Sequence, residues 1–399
     1  MTMTMPSPTG SGTSASATSA EEREALVEAV RDFADARLAP FANQRDADHE
    51  FPVETLREAG QLGLGAICVR EDVGGAGLSR MDAIAIYEQL ARGDVAVAAY
   101  ISIHNMVVGM IDQHGTDEQR RRWLPSLTTM DDLASYCLTE PGAGSDAAAV
   151  ATAAVRDGDD YVLTGTKQFI SGAGTSAVYV VMARTGGDDP AKQGSRGMTA
   201  FIVPAGADGL SFGPEEHKMG WNAQPTRQVV LDGVRVPADH RLGEEGDGFG
   251  IAMRGLNGGR LGIAAASIGG AQWALERTVA YAKERATFGQ PLATRQHVQF
   301  ALADMETELQ AARALLERAA AKLDAGAADA PVACAMAKRF ATDAGFRVAD
   351  EALQLHGGYG YLHEYGIERV VRDLRVHRIL EGSNEMMRMI VGRHLLGER

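Results

Sequence analysis

The chain has 399 residues, of which 45% are apolar and 23% charged, enough to bury a substantial core spread over two or three domains. A formal net charge of -14 has the wrong sign for a nucleic-acid binder, which must neutralise phosphates, and it disfavours an anionic membrane surface. Cys68, Cys137 and Cys334 show no paired spacing, the histidines show no two-His helix spacing, and no window approaches ~18 consecutive apolar residues, so the sequence predicts no disulfide, no metal site and no membrane span.

Residues 1–20 are uncharged and rich in Ser, Thr, Ala and Gly, which predicts a disordered tail. They lack the basic start of a secretory signal and the arginines of a mitochondrial presequence, so the chain reads as a bacterial cytoplasmic protein. Residues 21–133 carry a helical period. Leu26, Val27, Val30, Phe33 and Leu38 share one face before Pro40, and Ser79 and Asp82 form a capping box for a helix ending at Gly93. Over residues 134–240 the texture changes to short β-rich runs, with Asp157-Gly158 and Asp232-Gly233 as turn signals. Residues 241–399 return to the helical period, and 294–323 and 331–355 are long enough to span a bundle. The predicted fold is mainly α with a central β domain: an N-terminal helical domain, a small antiparallel β barrel or sandwich, and a C-terminal four-helix bundle.

Six stretches could carry chemistry. "YCLTEPGAGSD" (136–146) lies where helices give way to strands. Its glycines would let backbone approach a ligand and its hydroxyls could bind one, although an interdomain turn reads the same way. "KQFISGAG" (167–174) is similar. "LQLHGGYGYL" (353–362) follows a helix, not a strand, which is the wrong context for a dinucleotide phosphate loop; a glycine cap is its plain reading. "NGGR" (257–260) places Arg260 at the start of a long helix, and "ERATFGQPL" (284–292) joins Arg285, Phe288 and Gly289. In "RILEGSNEMMR" (378–388) Gly382 and Ser383 interrupt a helical pattern. Glu381 therefore stands at a corner, as an exposed carboxylate or as a base.

Together, in this order, "YCLTEPGAGSD", "FISGAG", "LQLHGGYGY" and "LEGSNE" resemble the acyl-CoA dehydrogenase family, from about residue 22 to the end. The resemblance implies a noncovalent FAD, an acyl-CoA substrate, a homotetramer, and electron-transfer flavoprotein as the electron acceptor. It implies removal of the thioester α-proton by a carboxylate while the β-hydrogen leaves as hydride to flavin N5. Glu381 matches the base. Its own backbone N–H is one donor to the thioester oxygen, which requires that N–H to be free of a helix. Gly259 stands where some relatives place the base instead, so no competing carboxylate exists.

Tyr136, Leu138, Thr139, Gly144, Ser145, Phe169, Ile170, Ser171, Ser383, Asn384 and Glu385 match FAD contacts, Phe169 replacing a tryptophan common among relatives. Arg285, Phe288, Gln296, Gln354, Leu355, Gly357 and Gly358 fall in segments that meet the FAD of a neighbouring subunit. Ser145, Asn257, Gly258, Gly259, Arg260 and Arg393 match substrate positions. "AYISIHNM", "GWNAQPTR", "RGLNGGR" and "LADMET" imply a short branched acyl group, isobutyryl-CoA before 2-methylbutyryl- or butyryl-CoA, with Gly258 and Gly259 making room for the branch. A flavin-free scaffold that keeps the fold is the alternative from another class.

Overall fold

Helix termini in the N-terminal region follow from local chemistry. The computed structural model describes residues 19–185 and 190–398, so the expected tail lies outside them except for residues 19 and 20. α1 (Ala20–Phe33) and α4 (Arg80–Gly93) start on capping boxes closed by Ser19–Glu22 and Ser79–Asp82. The α1 chain continues as a π-helical turn, Ala34–Leu38, before Pro40. Between them lie α2 (Ala42–Asp48) and α3 (Val53–Gln61); after them come α5 (Val95–His114), N-capped by Asp94, and α6 (Asp117–Thr128). By length and composition α5 could cross a membrane. However, 83% of its most apolar window is buried inside the fold, so it is a core helix.

Eight strands form one sheet: β1 (Ala134–Cys137), β2 (Ala153–Asp157), β3 (Asp160–Ser171), β4 (Val178–Arg184), β5 (Met198–Pro204), β6 (Leu210–Phe212), β7 (Thr226–Pro237) and β8 (Arg241–Leu242). Their order is β6-β7-β3-β2-β4-β5-β8, with β1 also on β4. The expected all-antiparallel pairing needs correction, because β1 and β2 both pair with β4 in parallel. A parallel pair requires a crossover, and the β2–β3 hairpin lies within the connection from β1 to β4. That hairpin turns at Asp157-Gly158 as expected. Asp232-Gly233 does not turn the chain. It lies inside β7, with Gly233 at φ +66°, opposite a register shift between Leu163 and Gly165, and so marks a bulge.

α7 (Gly248–Glu284), α8 (Gln296–Asp324) and α9 (Ala330–His356) are the long helices of the C-terminal region, joined by α10 (Ile367–His377) and α11 (Asn384–Leu396). A two-stranded hairpin, β9 (Ala286–Thr287) and β10 (Gln290–Pro291), links α7 to α8. α7 and α9 meet on alanine and glycine: a Cβ on Gly345 would lie 2.7 Å from the Ser267 carbonyl oxygen. One large core joins the helices of both ends, including Leu90, Tyr100, Leu261, Ile268, Leu309 and Leu374. A second packs α5 and α7 on one face of the sheet, and a third fills its other face. A small cluster of Ala96, Ala99, Trp221, Ala223 and Ile263, flanked by Leu380, sits where the three regions meet.

Candidate active site

α10 stops at His377, and the chain turns through Arg378–Ser383 before Ser383 caps α11 with its hydroxyl. The glycine and serine signal therefore marks a true helix break. Glu381 adopts φ +56° and Gly382 φ +86°. A left-handed glutamate costs on the order of 1–3 kcal/mol, so the surrounding contacts must impose it. Arg260 Nε donates to the Glu381 carbonyl at 3.2 Å, and Lys338 Nζ donates to the Gly382 carbonyl at 2.8 Å. Both cations thus hold the backbone of the turn and leave the carboxyl free.

The carboxyl itself lies over α7, where a Cβ on Gly259 would fall 2.7 Å from Oε2. Oε2 is buried without a hydrogen-bond partner, and among the described residues the Glu381 N–H makes no hydrogen bond. Burial raises the carboxyl pKa to about 7, against the pull of Arg260 and Lys338. The enclosed Tyr136 hydroxyl is also unpaired. Burial pushes it well up, and the nearby Glu381 charge pushes it further.

Tyr136 of β1 senses the Glu381 charge from the β side, and two β-side segments follow from β1 and β3. The Gln168 N–H donates to the Thr139 carbonyl at 2.8 Å, tying the 138–145 loop to β3 at a bulge between Lys167 and Ile170. At that bulge Phe169 takes φ +59° and stands 64% exposed, while Ile170 points into the sheet core. Leu138 is buried, whereas Gly144 and Ser145 are exposed, and a Cβ on Gly142 or Gly144 would meet nothing within 4 Å. Ser171 pairs with Thr226 at the start of β7, and its carbonyl accepts the Ser135 hydroxyl at 2.6 Å.

The acyl-CoA dehydrogenase N-terminal, middle and C-terminal domain families match residues 20–131, 135–234 and 246–396. The chain belongs to the acyl-CoA dehydrogenase family. It is an FAD-dependent oxidoreductase acting on an acyl-CoA. The chain is 52% identical to the mitochondrial isobutyryl-CoA dehydrogenase of Dictyostelium discoideum, over 94% of this chain and 89% of that one. Butyryl-CoA dehydrogenase of Megasphaera elsdenii superposes with a TM-score of 0.90 at 38% identity, covering 94% of this chain and 98% of that one. A chain from work on the electron transferring flavoprotein of Acidaminococcus fermentans superposes with a TM-score of 0.91 at 37% identity, covering 95% and 98%.

Several expected positions in this acyl-CoA dehydrogenase lie elsewhere than sequence reading placed them. Arg260 is not at a helix start. Asn257–Arg260 lie well inside α7, whose capping begins at Asp247, and Gly258 and Gly259 are tolerated there because other side chains occupy the space of their missing Cβ atoms. Asn257 is buried and holds Arg260 Nη1 at 2.9 Å. Asn384, expected on the cofactor, is 2% exposed. Its side chain is spent on Lys338, Thr342, Asp343 and the Arg339 carbonyl, and so it locks α11 to α9. Glu385 and Arg393 are exposed on α11, and Ser383 serves as its cap.

Arg285, Phe288, Gln296, Gln354, Leu355, Gly357 and Gly358 gather at the far end of α7. There Arg285 lies over the Tyr359 ring, Tyr281 stacks on His356 at 4.4 Å, and Gly357 caps α9 at φ +59°. At a rise of about 1.5 Å per residue, Arg285 stands roughly 37 Å along the axis from Arg260.

Sequence reading missed Lys338, which is fully buried. Burial and the Arg260 charge lower its pKa to about 7, while Glu381 holds it up. A lysine in the alanine-rich run "ACAMAKRF" was the available signal. It also missed Glu140, whose carboxylate pairs with buried Lys167 at 2.7 Å and accepts the N–H groups of Ala151 and Thr152, fixing the loop that starts at Leu138. Gln224 is fully buried with both amide atoms unpaired, two residues from the Thr226 that pairs with Ser171. Nothing in sequence separates it from any surface glutamine.

Proposed function

We propose that this acyl-CoA dehydrogenase oxidises a short branched acyl-CoA, isobutyryl-CoA to methacrylyl-CoA, as a step of valine breakdown. The observation that carries the reading is the Glu381 carboxyl, with Oε2 unpaired and lying over the missing side chain of Gly259. Oε2 takes the α-proton. With its pKa raised to about 7, the carboxylate is a stronger base than an exposed glutamate and is still largely ionised at slightly alkaline pH. The unengaged N–H of Glu381 donates to the thioester oxygen as enolate charge develops, and Arg260 and Lys338 hold that N–H in place by fixing the two carbonyls of the turn. The methyl branch of the acyl group packs between the Arg80 and Glu381 side chains that lie over Gly258 and Gly259.

The residues on the β side fit FAD. Open space over Gly142 and Gly144 admits a large group, and unpaired Tyr136 Oη and the Gln224 amide supply hydrogen-bonding atoms that a flavin with N–H and C=O edges can satisfy. When bound, FAD supplies the hydride acceptor. Tyr136, Leu138, Thr139, Gly144, Ser145, Phe169, Ile170 and Ser171 hold it from the β domain, with Phe169 aimed outward by the bulge. The cluster around Arg285 and Phe288 lies too far along α7 to serve the same cofactor, which supports a homotetramer in which that cluster completes a neighbour's site. Electron-transfer flavoprotein is the expected electron acceptor.

An anaerobic titration of the yellow protein with isobutyryl-CoA, read at the flavin's visible band beside Glu381→Gln, tests the reading. Bleaching in the wild type and none in the variant is expected. Bleaching by butyryl- or 2-methylbutyryl-CoA alone would move the substrate, and bleaching by no acyl-CoA would sink the reaction.

A further inference from the structure

Arg80 occupies a position that helix electrostatics disfavours. It is the first residue of α4, where the unsatisfied N–H groups already concentrate positive potential, and the Ser79–Asp82 capping box does not need it. Among the described residues its guanidinium makes no hydrogen bond and no ion pair. The nearest carboxylate it senses, Asp324, is engaged by the backbone N–H groups of Arg80 and Met81. The guanidinium instead enters a crevice of about 30 Å³ between α4, α5 and α7, lined also by Tyr87, Ser102, Met106, Gly258 and Gly259. A Cβ on Gly258 would lie 3.0 Å from Arg80 Nη1, as one on Gly259 would lie 2.7 Å from Glu381 Oε2. The two adjacent glycines therefore look onto two charged groups, Gly259 onto the Glu381 carboxylate and Gly258 onto the Arg80 guanidinium in the crevice. Tyr87 and Ser102 line it too, so the inner wall carries hydroxyls beside the arginine.

We propose that Arg80 is the end wall of the acyl crevice and a specificity-determining residue for acyl length, a role that rests on the reaction proposed above. A branched four-carbon acyl group ends before the guanidinium. Each further methylene, which would ordinarily tighten binding by about fourfold in an apolar tunnel, must here press on a cation and strip its water. Chain length is then limited by a buried charge as well as by volume, and the limit should move when the charge is removed.

The test is a series of propionyl-, isobutyryl-, hexanoyl- and octanoyl-CoA, with binding to the FAD-loaded tetrameric or native protein read by titration calorimetry and flavin reduction read anaerobically. The wild type should bind hexanoyl- and octanoyl-CoA at least tenfold more weakly than isobutyryl-CoA. Arg80→Met should erase most of that ratio while isobutyryl-CoA binding changes by only a few-fold. Arg80→Lys, which keeps the charge on a slimmer side chain and covers the case in which the methionine variant does not fold, should shift the ratio part of the way. Equal wild-type affinity for octanoyl- and isobutyryl-CoA, or a ratio unmoved in the variants, would overturn the proposal. So would an equal loss for every acyl length, the mark of a merely structural arginine. Calorimetry needs no turnover, so a shifted ratio in a protein whose flavin isobutyryl-CoA fails to bleach would sink the reaction and keep the end wall.

Discussion

The two ends of α7 solve opposite problems on one helix. Near Gly259 the helix meets buried charges: Arg260, Lys338 and Glu381 crowd a space where burial pulls all three toward their neutral forms and one carboxyl oxygen has no partner. Near Arg285 it meets exposed rings. Phe288 is 98% exposed and Tyr361 78%, with cations laid over Phe288 and Tyr359 rather than buried beneath them. Unpaired polar atoms in a core are unfavourable unless a reaction uses them, and exposed aromatics are unfavourable unless a surface covers them. The first end is built for chemistry and the second for contact, and each can be broken without touching the other.

Glu381→Gln breaks the first end most severely. Removing the base should lower the rate of flavin reduction by roughly 10²–10⁴-fold in anaerobic stopped-flow, with FAD content unchanged. Gly259→Ala comes next. Its methyl would sit 2.7 Å from Oε2 and must displace the carboxyl, and displacements of this size lower rates by about 10²-fold. If the branch lies here, the loss should be larger with isobutyryl-CoA than with butyryl-CoA; equal losses would remove the steric account.

At the second end, Phe288→Ser with Arg285→Ala should leave the flavin-reduction rate of fully loaded protein within a few-fold. It should weaken FAD retention in a manner that depends on protein concentration, seen in the melting temperature on dilution. A concentration-independent loss would argue for a site within one chain.

The smallest effect is on stability and sharpens the electrostatic side of the contrast. Folding raises the Glu381 pKa from 4.5 to about 7, so its ionised form opposes folding. The penalty is absent below the unfolded value, grows between about pH 4.5 and 7 as the unfolded chain ionises first, and is complete above 7. Glu381→Gln should therefore match the wild type near pH 4 and exceed it near pH 9 by up to about 3 kcal/mol. Urea denaturation at the two pH values measures it; equal differences at both would mean the carboxyl is not desolvated. In the same range kcat/KM should rise with pH through about 7. Lys338→Met, which removes one cation that favours the carboxylate, should move that limb upward.

Reading residues in order succeeded where the signal was local. Gly382-Ser383 after an apolar helical run announced the corner that holds Glu381, and Gly357 announced the end of α9. It failed where the deciding partner is distant. Asp232-Gly233 looks like a hairpin turn, yet β7 runs through it because β3 pairs on both sides. Asn384 matches a cofactor position by resemblance, and no local signal tells that α9 supplies partners for its side chain. Nothing in the sequence separates Arg80 from a solvated arginine, and only the packing of α4 against α7 places it on the wall of a crevice.

The order of helices and strands, the break at Glu381 and the family itself were determined by the sequence alone, because periodicity, caps and glycine breaks act over a few residues and the ordered motifs act as a set. The raised affinity of Glu381 for a proton, the parallel strands beside β4 and the roughly 37 Å between the two ends of α7 were decided by tertiary structure. Desolvation, strand pairing and distance depend on what lies across the fold, and residue spacing carries no record of it.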